Sequence, residues 1–152
     1  MNYANSRGME GVFLSLDQEK AFDRVSHEYL FSTLEAFGVG EGFLNWVKAL
    51  YSDISSSVLV NQFITESFPV TRSVRQGCSL SPLLYVLMLE PVLIKIRNDH
   101  LIKGFKLPGR NKEQKAAAFA DDSKFTLADD MSVFWVLQWY DYYGKASASL
   151  IN

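Results

Sequence analysis

One cysteine, Cys78, is all the thiol in 152 residues, so no intrachain disulfide can form and a reducing compartment is the expectation. Two histidines, His27 and His100, stand far from it and from each other, which removes zinc-ligand spacing. Neither sign of charge dominates. With 15 Lys+Arg against 17 Asp+Glu, composition advertises no general polyanion-binding surface, and any grip on nucleic acid must be local or supplied by another part. The longest unbroken apolar run, LLYVLML at 83–89, falls well short of the roughly 18 residues of a membrane span. The amino terminus, MNYANSRGMEG, has neither the basic flank nor the apolar core of a secretory signal. The expectation is therefore an intracellular protein, nuclear or cytoplasmic, that meets no membrane. Internal repeats, low-complexity tracts and linkers are also lacking. What is present is a 48% hydrophobic chain of the length of one domain, enough for a core.

GVFLSL at 11–16 ends at Asp17 and reads as a largely buried strand that delivers an acid at its end. A helix follows. Ser26 is placed to cap it, Glu28 suits its positive end, Leu30, Leu34 and Phe37 share a face, and Gly38 stops it. GFLNWVKALYSD at 42–53 is a second helix, with Leu44, Val47, Leu50 and Tyr51 on one stripe. The texture then changes to period two, and SSSVLVNQFITESFPV at 55–70 predicts a hairpin turning near Asn61 and Gln62. RQGCSLSPLLYVLMLEPVLIKI at 75–96 predicts a loop feeding a helix, with Ser81 as cap, Pro82 at its first position and Pro91 kinking or breaking it. KGFKLPGRNKEQK at 103–115 reads as a polar, basic connector or hairpin tip. AAAFADDSKFTL at 116–127 reads as strand, tight turn and strand. MSVFWVLQWYDYYGKAS at 131–147 returns to helical spacing through Phe134, Leu137 and Asp141, ending at Gly144. The pattern is one mixed α+β unit.

Asp121 and Asp122 stand side by side directly after an apolar run. Two adjacent anions resist desolvation, so the pair requires a turn in water or a cation. Asp129 and Asp130 form a second such pair, but Ser132 and a helix start close by explain it as a cap. What separates the first pair is another acid on an apolar strand, Asp17. If the strands pair so that Asp17 lies beside the hairpin turn, three carboxylates converge into the oxygen-rich cage that Mg²⁺ prefers. Two such ions roughly 3.5–4 Å apart suit an in-line phosphoryl displacement. In RQGCSLSP, Gly77 lets backbone approach a flat or charged ligand, and Gln76 offers both a donor and an acceptor.

These stretches, in this order, resemble the palm of a reverse transcriptase, closest to those of non-LTR retrotransposons of the long interspersed type. SLDQEKAFDRV is similar to the first catalytic motif, RQGCSLSPLLY to the second and AFADDSKF to the third, with YGKAS behind them. The resemblance covers nearly the whole chain and implies an α+β palm of a right-hand polymerase, an antiparallel sheet with helices packed on one face. It implies RNA-directed DNA synthesis on an RNA template and a DNA primer with dNTPs. Two Mg²⁺ ions, for which Mn²⁺ can substitute, would be bound by Asp17 and Asp121, with Asp122 completing the acidic site. Phe22 matches an aromatic steric gate that leaves no room for a 2′-hydroxyl. Gln18 and Glu19 would offer backbone N–H groups to the triphosphate, and Arg75, Gln76 and Gly77 match the loop near template and nucleotide. Lys20 and Asp23 fit the motif with a local structural role.

Departures accompany the match. Ser73 stands where many relatives have glycine, and so does Ala148; both limit positive φ. The fingers and thumb of the family fit neither before Asp17 nor after Gly144, so residues 1–152 are expected to be a partial domain, a palm fragment that borrows basic surface from the missing segments of a parent polyprotein. Alternatives are a non-enzymatic relic of a degraded element and a fragment like a group II intron maturase. An RNA-dependent RNA polymerase would have glycine in place of Ala120 and no bulky residue at Phe22.

Overall fold

The computed structural model describes residues 11–106, 113–119 and 122–152. In chain order these form β1 (Val12–Leu16), β2 (Gln18–Glu19), α1 (His27–Ala36), α2 (Glu41–Tyr51), β3 (Ser55–Ser56), β4 (Leu59–Val60), β5 (Phe63–Ile64) and β6 (Phe68–Pro69). Then come α3 (Ser81–Asn98), β7 (Phe105–Lys106), β8 (Glu113–Gln114), β9 (Ala116–Phe119), β10 (Asp122–Leu127), α4 (Asp130–Ser147) and β11 (Leu150–Ile151). The α+β reading holds, with four helices among the described residues and antiparallel strand pairing throughout. No helix of the described residues is long and apolar enough to cross a membrane.

A three-stranded sheet in the order β1-β10-β9 organises the molecule. Its register sets Leu16 opposite Ser123 and Leu14 opposite Phe125, so Ser123, Phe125 and Leu127 share the buried face with Leu14 and Leu16. α3 and α4 cover that face, contributing Leu89, Val92, Leu93, Ile96, Val136, Tyr140 and Tyr143 to one apolar cluster. The other face carries Phe13, Ser15, Lys124, Ala117 and Phe119, all exposed. β1 is therefore half-buried, not largely buried as its composition suggested, because it is an edge strand whose alternate side chains meet no second layer. A second cluster joins α1, α2 and the first half of α3 through Leu30, Leu34, Val47, Leu84, Tyr85 and Met88.

The first helix behaves as its sequence predicts. The Ser26 hydroxyl accepts from the Tyr29 N–H at 3.4 Å, and the Gly38 and Val39 amides close the far end on Glu35 and Leu34. Phe37 is not on its buried face but exposed at the cap. In α2, Leu44, Val47 and Tyr51 are buried while Leu50 is 53% exposed, one position off the stripe. The 55–70 segment is a hairpin turning at Asn61 and Gln62, both at positive φ as a type I′ turn requires, but its pairing is broken into two short ladders with every strand residue exposed.

Three expectations need correction. Ser81 is the first residue of α3 rather than its cap; its hydroxyl donates to the Arg75 carbonyl at 2.6 Å, and Leu80 holds the cap position with Pro82 in the first turn. α3 runs unbroken through Pro91, because buried Leu84, Tyr85, Met88 and Leu89 on one side and Val92, Leu93 and Ile96 on the other tie both halves to the core, outweighing a proline cost of about 3 kcal/mol. α4 passes Gly144 and ends at Ser147, and its buried face is Val136, Tyr140 and Tyr143, not Phe134 and Leu137. Gly144 serves closeness instead: a Cβ there would lie 2.8 Å from the Ser149 carbonyl oxygen.

The departures at 73 and 148 are both at positive φ, Ser73 at 101° and Ala148 at 64°. Ser73 is held there by its N–H to the Val25 carbonyl at 2.8 Å and by His27 Nε2, which donates to its carbonyl at 2.9 Å. Ala148 is the left-handed cap that reverses the chain after α4. Ser73→Gly and Ala148→Gly should each stabilise by about 1 kcal/mol, relief of strain exceeding the added freedom of the unfolded chain. Urea unfolding of the single and double variants checks this, with roughly additive shifts expected for separated sites.

Candidate active site

The open end of the three-stranded sheet collects the acids. Leu16 is the last residue of β1 and pairs with Ser123, so Asp17, one residue beyond, reaches the same end of the sheet as Asp122, one residue before. Burial continues the alternation, with Leu16 and Gln18 buried and Asp17 exposed between them, which puts the Asp17 carboxylate on the open face. Asp122 faces the same way. Its Oδ1 accepts from the Ser15 hydroxyl at 3.4 Å, and its Oδ2 pairs with Lys124 Nζ at 2.8 Å. Both partners of that ion pair are about half exposed, so it is worth at most about 1 kcal/mol and yields to a competing cation. Phe119 pairs with Asp122, and Ala120 and Asp121, which join β9 to β10, lie outside the described residues. Among the described residues no group of three His, Cys, Asp or Glu side chains forms a metal cage.

The Asp17 carboxylate is held from the other end of the chain. Asn152 Nδ2 donates to its Oδ2 at 2.9 Å, and the Asn152 N–H donates to its carbonyl at 3.0 Å. That backbone bond makes 17 and 152 a hydrogen-bonded pair, so alternation aims the Glu19 N–H at Leu150 and the Gln18 N–H away from β11. The Glu19 carboxylate pairs with Arg24 at 3.0 Å. The Gln18 side chain is buried, and neither of its amide atoms has a hydrogen-bond partner among the described residues.

Lys20, at φ 49°, turns the chain after β2 and accepts from Asp23 and Arg24. The turn carries Phe22 onto the buried Tyr85 ring, with centroids 4.9 Å apart and planes at 22°. The Val74 N–H donates to the Phe22 carbonyl at 2.8 Å, which docks the loop before α3 on this turn. Gln76 Nε2 then reaches Asp23 Oδ1 at 3.1 Å, giving Asp23 a partner that its motif did not reveal. Phe22, Gln76 and Gly77 line one cleft of about 510 Å³ with Cys78 and Ser79. Arg75 and Gln76 line another of about 510 Å³ with Asp23, Ser73 and Tyr51. Gly77 sits at φ 82° with open space where a Cβ would point. Cys78 borders both clefts, its thiol pKa lowered first by the Leu80 amide and then by Ser81 and Arg75.

The structure thus forms two groups. Asp17 and Asp122 share the open sheet end. Phe22, Arg75, Gln76 and Gly77 share the clefts, connected to the acids through residues 18–21. Asp129 belongs to neither: it caps α4 by accepting from the Ser132 N–H at 2.8 Å and the Ser132 hydroxyl at 2.7 Å, and the second bond is the main cause of its lowered pKa. Sequence reasoning missed Ser15, Lys124 and Asn152. Alternation along β1 and β10 could have placed the first two, but no local signal links Asn152 to a residue 135 positions earlier.

Comparison with known proteins gives a family model, reverse transcriptase (RNA-dependent DNA polymerase), matching residues 1–135. The Transposon TX1 uncharacterized 149 kDa protein of Xenopus laevis is 36% identical over all 152 residues. The Pol polyprotein of the type-2 retrotransposable element R2DM of Drosophila melanogaster is 36% identical over 108 residues, 71% of this chain. A type-1 R2 element polyprotein of Popillia japonica is 28% identical over 128 residues, 80% of this chain. The chain spans 12%, 10% and 20% of these three relatives.

Proposed function

The chain belongs to the reverse transcriptase family, resembling its non-LTR retrotransposon members, and from that premise we propose that residues 1–152 are the palm of an RNA-directed DNA polymerase. The observation that carries the reading is the meeting of Asp17 and Asp122 at one exposed sheet end, from strands more than a hundred residues apart. Exposed carboxylate oxygens, one of them paired among the described residues with a half-exposed lysine, suit a hard divalent cation. Asp17, Asp121 and Asp122 would hold two Mg²⁺ ions, or Mn²⁺ in their place, which when bound stabilise the attacking and leaving oxygens of an in-line displacement at phosphorus.

The chain's own residues do the rest. The Gln18 N–H, aimed away from β11, is available to a triphosphate oxygen, whereas the Glu19 N–H is directed at Leu150. Phe22, braced by Tyr85, walls the cleft beside Gln76 and Gly77 and excludes a sugar 2′-hydroxyl. Gln76, fixed by Asp23, and Arg75 face the template and nucleotide. RNA template, DNA primer and dNTPs are the partners, with fingers and thumb supplied by further segments of a parent polyprotein. Near-neutral on its own, the palm then depends on those segments for its grip on phosphate.

Titrating the chain with Mn²⁺, followed by electron paramagnetic resonance, tests the site directly. Asp17→Ala and Asp121→Ala should each weaken binding at least about tenfold. Equal binding by the wild type and both variants would remove the acid-site reading. The strained Ser73 and Ala148 favour a second reading, a decayed copy whose acids are inherited. Stops and frameshifts on both sides of the chain in its source DNA would establish that reading.

A further inference from the structure

We infer that Asn152 is a positioning residue for Asp17, holding its carboxylate ready for a divalent cation; this rests on the acid-site reading above. Asp17 is exposed and lies between β1 and β2. Asn152 holds it through two bonds from one residue to another: Nδ2 to Oδ2 at 2.9 Å and N–H to the backbone carbonyl at 3.0 Å. The chemistry of the donor matters. Asp122 has its Oδ2 paired with an ammonium, which offsets its charge, whereas an amide is neutral, fixes one oxygen and leaves the carboxylate its full charge.

The end of the chain is arranged to deliver this donor. α4 is reversed by Ala148 in the left-handed region. Gly144 admits the Ser149 carbonyl where a Cβ would crowd it at 2.8 Å. The Ser147 hydroxyl donates to the Tyr143 carbonyl at 2.7 Å and accepts from the Ser149 N–H at 3.2 Å, while the Ser147 carbonyl accepts from the Ser26 N–H at 3.3 Å. Ser147 and Ser149 are buried. β11 leaves this reversal already in register with β2, so Asn152 arrives opposite Asp17. A ladder needs only backbone, so the side-chain bond is the element that a purely structural strand would lack.

Asn152→Leu keeps the heavy-atom branching and the backbone bond but removes the donor; Asn152→Ala serves as a second variant should the bulkier Leu disturb β11. Three-bond couplings to the Asp17 side chain, measured in the 152-residue chain without metal, should report one χ1 rotamer in the wild type and averaging in the variants, with the Leu150 and Ile151 amide signals unmoved. Mn²⁺ affinity should fall about tenfold in the same variants. Unchanged couplings overturn the inference, and so does rotamer averaging that leaves Mn²⁺ affinity intact. If Asp17→Ala and Asp121→Ala both bind Mn²⁺ as well as the wild type, the acid-site reading fails by itself, while the couplings still decide whether Asn152 orders Asp17.

Discussion

Phe125→Ala should lower the unfolding free energy by about 3–5 kcal/mol, the range for emptying a fully buried aromatic site. Phe125 lies in the central strand, with Leu14 opposite it on one side and Ala116 on the other. Its ring meets Tyr140 of α4 edge to face, centroids 5.8 Å apart and planes at 85°. Removing it opens a void between the sheet and α4, and alanines on β9 are too short to fill it. For a domain of this size that is a large share of a typical 5–15 kcal/mol. Phe119, 86% exposed on the same hairpin, is the control: Phe119→Ala should change stability by no more than about 0.5 kcal/mol. Urea midpoints with unchanged m-values would report both. A loss at Phe125 no larger than at Phe119 would mean that β10 is not the centre of the core.

The contrast between these two phenylalanines shows what could be read in advance. The two strands of AAAFADDSKFTL were legible as local texture, but which phenylalanine is buried was not, since that depends on the layer that α3 and α4 lay on one face. Local capping was equally legible at Ser26 and Asp129, where a side chain within three residues satisfies an amide. The buried face of α4 was not. With aromatics at 134, 135, 139, 140, 142 and 143, an apolar stripe fits more than one phase, and only the sheet chooses Val136, Tyr140 and Tyr143. At Pro91 the break that the residue signals locally lost, for a related reason, to burial on both sides of it. In the candidate site, the acids and the cleft residues were recognisable from motif order, and the register of β1 with β10 then brought Asp17 to the end that carries Asp122. Their partners were not recognisable: Asn152, Lys124 and the Gln76 contact to Asp23 come from tertiary pairing, which no spacing within a motif encodes.

Asp17→Ala should abolish nucleotide incorporation, by at least about 10³-fold, in the longest open reading frame that contains these residues. The size follows from where the side chain sits. It is exposed at a sheet end, hydrogen-bonded only through Asn152 among the described residues, so its removal costs little folding energy and leaves β1 paired to β10 as before. A loss of activity without a loss of stability then isolates chemistry from structure, which Phe125→Ala cannot do. Asp129→Ala supplies the inverse pattern: it removes the α4 cap, costs about 1 kcal/mol, and should leave incorporation within a few-fold. Primer extension on an RNA template with Mg²⁺ and four dNTPs, beside thermal unfolding of the same preparations, reads both. The 152-residue chain alone should show negligible processive extension, because its 15 Lys+Arg are balanced by 17 Asp+Glu and a near-neutral surface holds a primer and template poorly at physiological salt. Robust extension by the isolated chain would show that the palm needs no borrowed grip, and extension that survives Asp17→Ala would show that the sheet end is not where the reaction occurs.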